Sequence, residues 1–96
     1  MKDFLKDFNK AFENKIRLGV MSALMVNDSV DFNTLKDLLN ATDGNLASHL
    51  KTLEKEAYIA VSKRFVDRKP LTTYTVTTQG KEAFEKHLSA LENLLK

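Results

Sequence analysis

The sequence predicts a mainly α fold with one small β-hairpin: a winged helix-turn-helix with additional N- and C-terminal helices. Three observations predict it. Asn33 and Thr42, both helix-capping residue types, each precede leucines at helical spacing, with a tight turn at Asn40–Ala41 between the two runs. Directly afterwards, Ile59 to Val66 and Leu71 to Val76 alternate like strands around Asp67-Arg68-Lys69-Pro70. Finally, amphipathic stripes begin and end the chain. A helix-turn-helix followed by a hairpin is a shape suited to laying one helix in a DNA groove.

Taken in order, Phe4, Leu5, Phe8, Ala11 and Phe12 recur at three and four, the spacing of one helix face, with Lys2, Asp3, Lys6, Asp7 and Lys10 opposite. Asn14 breaks that run. Ile16, Val20, Met21, Leu24 and Met25 then define a second inward stripe, widened by Leu18, which stops at the polar cluster Asn27-Asp28-Ser29. Val30 to Phe32 suits a short strand beside the hairpin. Asn33 caps a helix with apolar Leu35, Leu38 and Leu39; Thr42 caps another, 42–56, with Leu46, Leu50, Leu53 and Ala57. Thr78 is the expected cap of the last helix, along which Ala83, Phe84, Leu88, Leu91 and Leu95 repeat, with Leu94 beside them. The expected division is an N-terminal dimer helix at 1–13, a winged-helix core at 14–77 and a C-terminal dimer helix at 78–96.

Ninety-six residues suit one domain with one modest core. Absence of cysteine removes disulfides, a thiolate nucleophile and zinc fingers, and fits a reducing compartment. No apolar stretch approaches the roughly 20 residues of a membrane span. The start, Met1-Lys2-Asp3-Phe4, lacks the basic-then-apolar order of a leader, so the expectation is a cytoplasmic protein without a membrane partner. Net charge is only +2, but its distribution is uneven. Lys63, Arg64, Arg68 and Lys69 crowd the hairpin against Asp67 alone, while acids gather at Asp3, Asp7 and Glu13 and at Glu82, Glu85 and Glu92. One face suits phosphate; another does not.

With Leu46, Leu50 and Leu53 inward, 100° per residue turns Gly44, Ser48, Lys51 and Lys55 outward, flanked by Asn45 and Thr52. Gly44 and Ala47 leave little bulk near the helix start. Asn45, Ser48 and Thr52 suit base edges; Lys51 and Lys55, like Lys63, Arg64, Arg68 and Lys69 of the hairpin, suit phosphate or a groove. Thr42 belongs to the same end of the helix. Asp43 opposes phosphate but favours the positive helix terminus. His49 lies at the edge of the buried face and His87 near the expected dimer seam. Two distant histidines without cysteine make a poor metal site. Ser48 and His49 point about 100° apart and form no catalytic pair. No phosphate loop or dinucleotide fingerprint is present. The expectation is therefore no enzyme, no metal and no cofactor.

Asn14-Lys15-Ile16-Arg17-Leu18-Gly19-Val20-Met21, Phe32-Asn33-x-Leu35, Thr42-Asp43-Gly44-Asn45-Leu46-Ala47-Ser48-His49-Leu50-Lys51-x-Leu53-Glu54 and Tyr74-x-Val76-Thr77-x-x-Gly80 together resemble small winged-helix transcriptional regulators close to the MarR and ArsR groups. The resemblance spans about Asn14 to Leu95 and is most specific from Thr42 to Glu54. It implies a homodimer on operator DNA, with 42–56 as reader and the hairpin as wing. Two positions depart from it: Ala57 stands where glycine is usual, and Lys15 where proline is common. The cysteine ligands of metal-sensing relatives are absent.

Surplus apolar stripes at both ends point to a dimer interface of Phe4, Leu5, Phe8, Phe12, Phe84, Leu88, Leu91 and Leu95, each buried Leu or Phe contributing roughly 1.5–3 kcal/mol. The leading expectation is a homodimeric, sequence-specific regulator of transcription that binds double-stranded DNA. The alternative is a winged-helix protein-interaction module that does not bind DNA, which the low net charge and Asp43 keep open. A small-molecule effector between terminal helices and core is compatible with the first, although the sequence supplies no polar cluster that selects one.

Overall fold

Asn14 ends one segment and starts the next, because its side-chain oxygen accepts the N–H groups of Ile16 and Arg17 at 3.0 and 3.1 Å. The computed structural model describes residues 4–96; of Phe4 it describes the backbone alone, so that side chain, proposed for the interface, lies outside the described residues. Two short 3₁₀ turns, Phe4–Asp7 and Lys10–Phe12, precede helix α1, Lys15–Met25. Strand β1, Val30–Asp31, leads into α2, Phe32–Leu39, and α3, Asp43–Lys55, follows. Strands β2, Ile59–Val66, and β3, Lys69–Val76, form the hairpin, and α4, Thr78–Leu94, closes the order. The fold is a winged helix: four helices and a three-stranded antiparallel sheet in the order β1-β3-β2. The short third strand is present, Val30 facing Tyr74 and Asp31 facing Thr73.

Caps differ from expectation at two places. Asp31, not Asn33, caps α2: its carboxylate accepts the Thr34 N–H at 3.2 Å and the Thr34 hydroxyl at 2.6 Å. Those bonds hold the Asp31 carboxyl below the usual carboxylate range. Thr77, not Thr78, caps α4, accepting from Gly80 N–H at 2.9 Å. Between α2 and α3 the turn is as expected, with Asn40 left-handed at φ 50° and Thr42 accepting from Asn45 N–H.

The core is one cluster that reaches beyond 14–77. Val20, Met21 and Leu24 of α1 meet Leu35 of α2, Leu46, Leu50 and Leu53 of α3, and Ile59 and Tyr74 of the sheet. Phe12 and Phe84 join it at 2% and 3% exposure, their rings edge to face at 5.2 Å. This corrects the expectation that both serve a dimer surface, since a side chain already enclosed by its own domain has no area left to offer. Among the described residues the N-terminal segment is also not an α-helix but two 3₁₀ turns. It folds back on α4, where Asn9 N–H donates to His87 Nδ1 at 3.0 Å and Asn9 Nδ2 donates to the Tyr58 hydroxyl at 2.9 Å. His87 is thereby buried within its own chain rather than at a seam. Leu38, expected inward, is 64% exposed.

Ala57 was expected to continue the apolar face of α3. Instead it terminates the helix at φ 62°. Its N–H donates to the Glu54 carbonyl at 2.9 Å and the next, Tyr58 N–H, to the Leu53 carbonyl at 3.0 Å. That is the paired-bond stop that glycine favours, because a β-carbon is strained in the left-handed region. Ala57→Gly is therefore expected to stabilise the fold by about 0.5–1 kcal/mol, raising the thermal midpoint by roughly 4 °C. Calorimetry of the two proteins checks it.

Candidate nucleic-acid interface

Three buried leucines fix how α3 sits. Leu46, Leu50 and Leu53 point into the core, with α1 and β2 packed against them. Their phase leaves Thr42, Gly44, Asn45, Ser48, Lys51, Thr52 and Lys55 exposed, as the spacing predicted. Open space lies in front of Gly44, so the backbone at the helix start is approachable. The Thr52 hydroxyl donates to the Ser48 carbonyl at 3.3 Å, which leaves its oxygen as an acceptor. Thr52 also borders a groove with Asn9, Lys10, Ala11, Arg17 and Glu56, so it lies toward one flank of the outward face.

Asp43 does not stand as a bare negative charge. Lys36 of α2 reaches it at 2.8 Å, and that bond raises the lysine above its ordinary value. The pair offsets the repulsion Asp43 would exert on phosphate, at the modest strength of an exposed ion pair. Sequence reasoning missed Lys36 because the two residues lie on different helices, seven positions apart across the turn.

Arg17 was also missed. Its Nε donates to the Ala11 carbonyl at 2.6 Å, and its Nη1 donates to His49 Nδ1 at 2.9 Å. A guanidinium only donates, so the His49 Nδ1 is an acceptor and the ring is neutral with its proton on Nε2. Burial, then the Arg17 charge, pushes the His49 pKa below its ordinary 6.5. The unfolded chain therefore takes up the proton first as pH falls. Stability from this contact is complete above pH 6.5 and is lost as pH drops through the lower folded-state value. His49→Gln is expected to show a smaller decline in thermal midpoint on acidification through this window than the native protein. Melting curves in a pH series check it.

The hairpin supplies the second half of the surface. Lys63, Arg64, Arg68 and Lys69 are all exposed. The loop is shorter than the expected 67–70: Val66 pairs with Lys69, leaving only Asp67 and Arg68 at the tip, at φ 51° and 67°. Two left-handed residues in a two-residue loop give the turn whose twist matches the strands. Arg68 thus projects from a tight two-residue turn.

Of the remaining residues expected at a dimer surface, Leu5, Leu88, Leu91 and Leu95 are exposed, while Phe8 is half-buried against His87 at 5.3 Å. Among the described residues no three metal-ligating side chains gather, and no helix is long and apolar enough to cross a membrane.

An uncharacterized protein of Methanocaldococcus jannaschii is 32% identical over 87 residues, covering 91% of this chain and 95% of that protein. The structure of a transcriptional regulator homologue from Pyrococcus horikoshii OT3 matches with a TM-score of 0.89 at 31% identity, over 98% of this chain and 95% of that one. The YusO protein of Bacillus subtilis shares the fold, with a TM-score of 0.81 at 18% identity over 97% of this chain and 65% of its own. Several further structural neighbours are described as transcriptional regulators and share the fold, in line with the winged-helix resemblance read from Thr42 to Glu54. The family model described as a winged helix DNA-binding domain matches residues 16–95, and the chain belongs to that family.

Proposed function

We propose that the protein is a homodimeric, sequence-specific regulator of transcription, with α3 in the major groove and the hairpin on backbone or minor groove. One observation carries the reading. The side of α3 turned away from Leu46, Leu50 and Leu53 is uncovered, small near its start and cationic toward its end, and a basic hairpin adjoins it through β2. In this reading Gly44 permits close approach, and Asn45, Ser48 and Thr52 meet base edges. Lys51, Lys55, Lys63, Arg64, Arg68 and Lys69 meet phosphate or the minor groove. Thr42 holds the helix start that faces the DNA. The exposed leucines of α4, Leu88, Leu91 and Leu95, together with Leu5, are the proposed seam between two copies. Two-fold symmetry then sets the readers about one turn, roughly 34 Å, apart. Work on DNA in a reducing interior, without catalysis, follows from the same reading.

Selection of bound duplexes from a random pool tests it. A palindromic consensus with half-sites about 10 base pairs apart is the expected result. No enrichment, together with no salt-sensitive binding to random duplex, would favour the protein-interaction module instead. A monomer mass by light scattering at micromolar concentration would remove the dimer.

A further inference from the structure

The hairpin outruns the body of the protein. Alternation along β2 puts Ile59, Val61, Lys63 and Phe65 on one face, opposite Val76, Tyr74, Thr72 and Pro70 of β3. At its base this face is core, with Ile59 and Tyr74 buried. Four residues beyond Val61, about 13 Å along the strand, Phe65 is 77% exposed. A ring there gains little from the fold. Pro70, directly across the ladder, gives it a stiff apolar backing.

The surroundings of Phe65 define its partner. Lys63, Arg64, Arg68 and Lys69 lie within four residues of it along the hairpin, and Asp67 is the one acid among residues 63–69. An apolar ring on a basic stalk fits a partner that is anionic outside and apolar within. Duplex DNA has that character, its phosphates flanking stacked bases and deoxyriboses. One ring and one proline form too small a patch for a stable protein–protein contact, which requires on the order of 800 Å² per partner. Resting on the DNA-binding reading above, we propose that Phe65, backed by Pro70, is the apolar contact of the wing, entering the minor groove with Arg68 and pressing on a base step or its sugars.

Because Phe65 has no charge, its contribution separates cleanly from that of the cations. The test is fluorescence anisotropy on a selected duplex over a salt series, with the native protein, Phe65→Ala and Phe65→Leu. Alanine is expected to weaken binding about tenfold at every salt concentration without changing the salt slope. Leucine, apolar and nearly as large, should restore most of the loss. Equal affinity of the native and alanine proteins overturns the inference and leaves the DNA-binding reading intact. A slope lowered by about one, the signature of a lost phosphate contact, also overturns it. So does a halved particle mass for Phe65→Ala, which would assign the ring to contact between copies. A native protein that binds no duplex overturns both readings together.

Discussion

Gly80→Ala is expected to cost about 3 kcal/mol of stability and to lower the thermal midpoint by roughly 15 °C. The reason is a close approach that nothing can relieve. A methyl group on Gly80 would run into the Tyr58 carbonyl oxygen. That oxygen is backbone, and it already accepts the Thr77 N–H at 3.0 Å. The first turn of α4 is pinned there on both sides. Thr77 Oγ1 donates to the Ala57 carbonyl at 2.7 Å, and Gln79 Nε2 donates to the Glu56 carbonyl at 3.3 Å. To admit the methyl, α4 must lift, which strains these bonds and loosens Phe84 in the core. Gly19→Ala is the control. Its methyl would meet the tip of the Leu39 side chain, which can rotate away, and alanine is the better helix former by nearly 1 kcal/mol. That variant should stay within about 1 kcal/mol of the native protein. Denaturant titrations of both variants check the contrast; a Gly80→Ala protein as stable as Gly19→Ala would show that α4 docks loosely.

Removing the charges at the hairpin tip should have the largest effect on DNA. Arg68→Gly with Lys69→Ala is expected to weaken binding to all duplexes roughly 10- to 100-fold near 0.1 M salt. The slope of log affinity against log salt should flatten by nearly two, since each lost phosphate contact accounts for about 0.9. Glycine is chosen at 68 because Arg68 sits at φ 67°. The substitution then leaves Asp-Gly, a preferred pair for this turn, so charge is lost without backbone strain. The thermal midpoint should hold or rise slightly. Unchanged affinity and slope would take the wing out of the binding reaction and leave α3 alone.

Local features were the legible ones. Thr42 reveals itself as a cap, and Asn14 as a break, because such signals are decided within three or four residues of backbone; that Asn14 also caps α1 appeared only in the structure. The outward face of α3 was legible because Leu46, Leu50 and Leu53 set its phase without reference to anything distant. Asp31 was missed because β1 is only two residues long, so its last residue doubles as the cap of α2. Periodicity shows that Phe12 and Phe84 seek burial, but not that they find it against each other, 72 positions apart. Phe65 hid for the opposite reason. Alternation places it on the face of Ile59 and Val61, and that this face is open at the far end of the hairpin is decided by the fold, not by the spacing. Lys36 and Arg17 act across elements, where spacing along the chain carries no signal.

Arg17 has a mechanical consequence. One guanidinium rivets the tail at Ala11 to the middle of α3 at His49. A pull on the N-terminal segment is therefore passed straight to the middle of α3 instead of being taken up by slack chain.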